Sequence, residues 1–170
     1  VYRMAVSPDG RSEATASLDK TAIVWDAATG EQQRTFAGHT DQLRDVAFSP
    51  DGTRLATAGA DSTARLWDVA SGSMLRVLHH HDQVRSVAFS PDGKRLVTAG
   101  WDKALIVWDV ASGEPLLTIS SNTAKYNGAV FSPDGSQVAS ITAGDTVNLW
   151  DGTSGKMLLT LRGGGNALTA

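Results

Sequence analysis

The 170-residue chain has no cysteine, which excludes a disulfide framework, a thiolate nucleophile and a thiolate-held zinc or iron–sulfur centre. No apolar run is longer than a few residues, so there is neither a bilayer-spanning segment nor a signal-peptide core. Positive charge is not in excess either. Fifteen Lys and Arg against 18 Asp and Glu leave a net charge of −3, which gives no electrostatic footing on nucleic acid or an anionic membrane. With 41% hydrophobic and 19% charged residues the chain reads as globular. Helical periodicity is missing, since no window sustains an apolar repeat of about 3.6 residues.

What is present is a repeat. Ser-Pro-Asp-Gly stands at residues 7–10, 49–52, 90–93 and 132–135, with spacings of 42, 41 and 42. Trp-Asp recurs at Trp25, Trp67, Trp108 and Trp150 with the same spacings, and so does the glycine at Gly30, Gly72, Gly113 and Gly155. One unit used four times thus accounts for four of the five tryptophans and four of the five prolines. In the second unit, short apolar runs fill residues 43–48, 54–58, 63–67 and 74–78, separated by turn-forming stretches. The first turn is Ser49-Pro50-Asp51-Gly52, in which proline presets φ, Asp caps and Gly takes positive φ. Such runs read as strands joined by hairpins, so the chain is expected to be all-β, with four four-stranded antiparallel sheets. Both faces of each sheet carry apolar residues that need neighbouring sheets.

Forty-odd residues, four strands, an early Gly38-His39 and a late Trp67-Asp68 resemble the WD-repeat β-propeller family over essentially the whole chain. The resemblance implies wedge-shaped blades at about residues 1–36, 37–78, 79–119 and 120–161 of one propeller region spanning 1–170. Residues 162–170, with Gly163-Gly164-Gly165, would then start a fifth unit. It also implies a buried relay from a Trp indole through a strand hydroxyl and a His to a turn Asp. In this sequence the relay maps to Trp67, Thr57, His39 and Asp61, and to Trp108, Thr98, His80 and Asp102. A buried imidazole and carboxylate are tolerable only when every polar atom is paired, so these His–Asp pairs read as structural rather than as parts of a catalytic triad.

Two units depart from the pattern. The fourth keeps Trp150 and Ser140 but has Gly144 at the Asp position and Asn122 or Thr123 at the His position, so its relay should be absent. The first has Trp25, Thr15 and Asp19, but no upstream His because the sequence begins after that position. It also places Glu13 where Leu55, Leu96 and Val138 stand, and Gln33 where Leu75, Leu116 and Leu158 stand. Both positions should face a neighbouring sheet, and the first unit is therefore expected to pack least well.

Val1 aligns with Leu43 and Ala170 with Asp45, so the chain holds four units cut at nearly the same point at both ends. Four wedges leave two open faces. Three outcomes follow: a part of a larger propeller, which the missing initiator Met favours, a homodimer completing eight blades, or a strained four-bladed ring.

Propellers of this kind are usually interaction platforms, and their partners sit on the rim that leads into the innermost strands. The matching positions here are Tyr2, Gln42, Arg44, Gln83, Arg85, Lys125 and Asn127, with Leu18, Ala60 and Trp101 just before the turn Asp. Trp101 is either a binding hot spot or a cover for an adjacent loop. Arg44, Arg85 and Lys125 suit an acidic or phosphorylated protein or peptide segment.

His79, His81 and Asp82 form the sole metal-like cluster, but His80 between them belongs to the relay, so no metal and no cofactor are expected. The leading reading is a non-catalytic, cytoplasmic interaction scaffold, the sensor or recruitment module of a larger protein. Alanine-rich spacers such as residues 109–113 resemble bacterial signalling members.

Overall fold

In the computed structural model residues 1–144 and 146–162 are described. They form sixteen antiparallel strands in four separate sheets, each a simple meander. The first sheet contains β1 (Arg3–Val6), β2 (Ser12–Ala16), β3 (Thr21–Asp26) and β4 (Gln32–Ala37). The second contains β5 (Leu43–Phe48), β6 (Arg54–Gly59), β7 (Thr63–Asp68) and β8 (Met74–His79). The third contains β9 (Val84–Phe89), β10 (Arg95–Gly100), β11 (Ala104–Asp109) and β12 (Pro115–Ser120). The fourth contains β13 (Tyr126–Phe131), β14 (Gln137–Thr142), β15 (Thr146–Asp151) and β16 (Met157–Arg162). These are propeller blades. Among the described residues no helix is long and apolar enough to cross a membrane. The Gly163-Gly164-Gly165 loop and the start of a fifth unit lie outside the described residues.

The turns explain why the meander repeats. In each Ser-Pro-Asp-Gly turn the serine hydroxyl donates to the Asp carboxylate, at 2.6 Å for Ser7–Asp9 and 2.5 Å in the other three. The same serine oxygen accepts the backbone N–H five residues on, as in Arg54 N–H to Ser49 at 2.9 Å. The glycine closing each turn has φ near +70°, a left-handed conformation that a side chain would oppose.

Neighbouring sheets stack face to face, first strand beside first strand, in the order β1, β5, β9, β13. Three cores result. Ala14, Ala16, Ala22, Val24 and Phe36 of the first sheet meet Leu43, Val46, Leu55 and Trp67 of the second. Ala56, Ala58, Ala64, Leu66 and Leu78 then meet Val84, Val87, Leu96, Ile106 and Trp108 of the third. Val97, Leu105, Val107 and Ile119 meet Tyr126, Ala129, Val138 and Trp150 of the fourth. Among the described residues no fourth core joins the last sheet to the first, so the four blades form an open arc.

Exposure follows position in the arc, which corrects one expectation. Gln33 is exposed, but so are its counterparts Leu75, Leu116 and Leu158. The outermost strands lie where the wedges splay apart, and β4, β8 and β12 bury only Phe36, Leu78 and Ile119 respectively. Glu13 does occupy an interface position, since Leu55, Leu96 and Val138 are fully buried. The first sheet has the most exposed innermost strand, yet β16 of the fourth is exposed throughout. Each end sheet is packed on one face only.

Because the cores lie between sheets, truncation of an apolar side chain should be costly there and cheap on the exposed outer strands. Leu66→Ala is expected to lower stability by about 2–5 kcal/mol in urea unfolding, while Met74→Ala on the exposed outer strand should change it by under about 0.5 kcal/mol.

Candidate functional site

Two complete relays anchor the middle blades. The Trp67 indole N–H donates to Thr57 Oγ1 at 2.9 Å, that hydroxyl lies 2.8 Å from His39 Nε2, and His39 Nδ1 lies 2.9 Å from Asp61 Oδ2. In the third sheet the corresponding distances, from Trp108 through Thr98 and His80 to Asp102, are 2.8, 2.7 and 2.8 Å. One proton arrangement satisfies every atom: the indole donates to the hydroxyl, the hydroxyl donates to a neutral imidazole, and Nδ1–H donates to the carboxylate. Burial opposes ionisation of Asp61, but hydrogen bonds from His39, the Thr40 N–H and Thr63 outweigh it and hold the carboxyl well below the usual range. Asp102 is lowered against burial in the same way by His80 and the His81 N–H. The histidine side chains are 1% and 0% exposed, and both ring nitrogens of each are engaged within the blade.

In the end blades the described residues show only part of this arrangement. Trp25 donates to Thr15 at 2.9 Å, and Asp19 caps its own turn by accepting from Thr21. In the fourth blade the expected loss is incomplete. Trp150 still donates to Ser140 at 2.9 Å, because that half of the relay needs only the two neighbouring strands. Beside the positions of the missing His and Asp lies an open hollow of about 490 Å³ lined by Lys103, Thr123, Lys125, Thr142, Gly144 and Thr146. The sequence marks the vacancy, but the open volume depends on how the loops settle.

The rim residues converge on the inner edge of the arc. The Arg85 guanidinium lies 4.8 Å from the Trp101 ring centre and donates to Tyr2 Oη at 3.2 Å, spanning the first and third blades. Arg44 stacks on Tyr2 at 5.5 Å, and Lys125 Nζ sits 4.6 Å from the Trp101 ring. Trp101 Nε1–H donates to Asn127 Oδ1 at 3.1 Å. Gln42 and Gln83 use their backbone carbonyls to accept the N–H groups of Ala60 and Trp101, which ties each rim loop to its turn.

Three polar atoms here are buried with no hydrogen-bond partner: Arg44 Nε, Arg85 Nε and Gln83 Oε1. Asp82, 3.8 Å from Lys125, is the one carboxylate paired with a rim cation among the described residues. Trp101 is half-buried, with its indole N–H engaged by Asn127 of the neighbouring blade. It is the plate between two cations, a ladder that the sequence could not reveal without the ring geometry.

The metal-like cluster does not assemble. His80 is occupied by Thr98 and Asp102, His79 and His81 are exposed, and no three His, Asp or Glu groups among the described residues converge on one point.

The WD domain, G-beta repeat family model matches residues 1–26, 30–68, 72–109 and 113–151, and the chain belongs to that family. Each match after the first begins near an outermost strand and ends on the Trp-Asp strand of the next sheet, so the sequence repeat straddles two blades. No curated protein matches the chain. Propellers of this family are generally non-enzymatic and typically act as protein-interaction scaffolds.

The relay generates a stability expectation with a definite sign. Asp61 and Asp102 have depressed carboxyl pKa values in the folded chain, so their contribution is present above the unfolded carboxylate value of about 3.9 and is lost as pH falls through the folded values. Asp102→Asn should cost about 1–3 kcal/mol at neutral pH, with the deficit relative to wild type shrinking as pH falls below about 4. Urea midpoints measured across pH check both the size and the direction.

Proposed function

We propose that the chain is a non-catalytic module that binds an acidic or phosphorylated protein segment at its inner rim. The observation that supports this most strongly is Arg85, flanked by Tyr2 and Trp101, with its Nε buried and unpaired and no carboxylate facing it among the described residues. A guanidinium held in this way is pre-ordered for bidentate contact with a carboxylate or phosphate. Arg44 and Lys125 add charge on either side, and Tyr2, Trp101, Gln42, Gln83 and Asn127 supply apolar and hydrogen-bonding contact. In this reading the module works in the cytoplasm as the sensor or recruitment part of a larger, bacterial signalling protein. The family's typical role as an interaction scaffold supports the recruitment part of this reading.

The test is a peptide array pairing phosphoserine, Asp/Glu-rich and neutral sequences, probed with the purified chain. Acidic or phosphorylated peptides should be retained in a salt-sensitive manner, and Arg85→Ala should weaken that binding about tenfold or more without changing the urea midpoint. Equal retention of neutral peptides, or unchanged binding by both Arg85→Ala and Trp101→Ala, would contradict the proposal.

A further inference from the structure

The two ends of the arc differ from the interior interfaces in a correlated way. At each interior contact the first strand of one sheet offers an alanine and the first strand of the next offers a phenylalanine to the same core. The pairs are Ala5 with Phe48, Ala47 with Phe89, and Ala88 with Phe131. The corresponding positions on the two open faces are Val130 on the last sheet and Val6 on the first, both 56% exposed. The larger-than-usual residue on one face is matched by a smaller-than-usual residue on the other. A small–large pair has become a medium–medium pair, conserving volume as close-packed interfaces require.

Other positions on these faces fit the same contact. Gly72, Gly113 and Gly155 lie against Arg34, Arg76 and Leu117 of the preceding sheet, whereas the corresponding space at Gly30 is open. The repeat places Leu159, 48% exposed, as the residue that would fill it. Likewise Gly52, Gly93 and Gly135 pack on Pro8, Pro50 and Pro91, while Gly10 meets nothing and Pro133 is the corresponding proline of the last sheet. The last face carries Val130, Ile141, Val147, Leu149, Leu159 and Leu161 at positions that the interior sheets turn towards a neighbour, with Gln137 its polar member where Arg95 of the third sheet reaches across. The first face offers Val1, Met4, Val6, Ile23 and Trp25, with Glu13 as its one charged departure.

We infer that the last face of one copy packs on the first face of a second copy, and the reverse, closing a two-fold ring of eight sheets. This surface is separate from the rim site and does not depend on it. Each contact would have the extent of an interior inter-sheet core, and the two-fold ring makes it twice, which suits a stable interface of about 1,600 Å² or more. Eight sheets fall within the range of about four to eight that propellers adopt.

Sedimentation of the 170-residue chain at micromolar concentration tests the ring. The expected species has twice the 17.9 kDa chain mass, and a monomer or an open-ended polymer would overturn the inference. A side-chain exchange tests the face pairing itself. Val6→Phe alone overfills the contact and should weaken the dimer about tenfold or more, while Val6→Phe combined with Val130→Ala recreates the interior pairing and should restore it. Both positions are open in the single chain, so far-UV circular dichroism should stay unchanged throughout. Glu13→Leu, which installs what the second and third sheets carry, should tighten the dimer. A double variant no tighter than Val6→Phe alone would overturn the pairing.

Discussion

A four-stranded sheet with apolar side chains on both faces cannot stand alone in water, and the rest of this structure depends on that constraint. The hydrogen bonds within each meander are local and complete after about forty residues, but the buried area lies between meanders. Leu66, Leu96 and Leu105 are fully buried only because another sheet covers them. Stability is therefore a sum of sheet–sheet contacts, and a sheet's position in the series decides how much it contributes. The same constraint makes the end faces chemically conspicuous, since side chains of the type buried inside are presented there to solvent.

The relay serves that packing. A tryptophan in the third strand brings a large apolar surface to each interface, but its indole N–H must find an acceptor. Thr57 and Thr98 provide it, and the hydroxyl, imidazole and carboxylate behind them pass the requirement along to the turn. The fourth blade has neither the histidine nor the turn Asp and carries a shortened version of the chain. In the fourth blade an open hollow lies beside Lys125, where relay and rim meet. A structural element thereby shapes the edge of the surface proposed for binding.

Much of this was legible in the sequence. The 42-, 41- and 42-residue spacings carry the number of sheets, the strand order and the turn chemistry, because hairpin turns have strong residue requirements. The relay residues could be placed because each belongs to a motif at a fixed offset. The rim residues could be named, but not their mutual contacts. Arg85 and Tyr2 are 83 positions apart, and only the stacking of first strands brings them within hydrogen-bond distance. Gln33 departs from the expectation because alternation along a strand says which face a residue takes, not how far the neighbouring wedge extends. The matched change at Val6 and Val130 is visible as two substitutions in the repeat, but its meaning needs the knowledge that Ala5 and Phe48 share one core.

The central claim, that stability resides between sheets, is tested most directly by native-state hydrogen exchange followed strand by strand at two protein concentrations. At high dilution the strongest protection should fall on β6, β7, β10 and β11, which are covered on both faces, with β16 exchanging first. Raising the concentration should increase protection in the first and last sheets alone. Equal protection across all four sheets, unchanged by concentration, would place the stability within the hydrogen-bonded meanders and contradict the account.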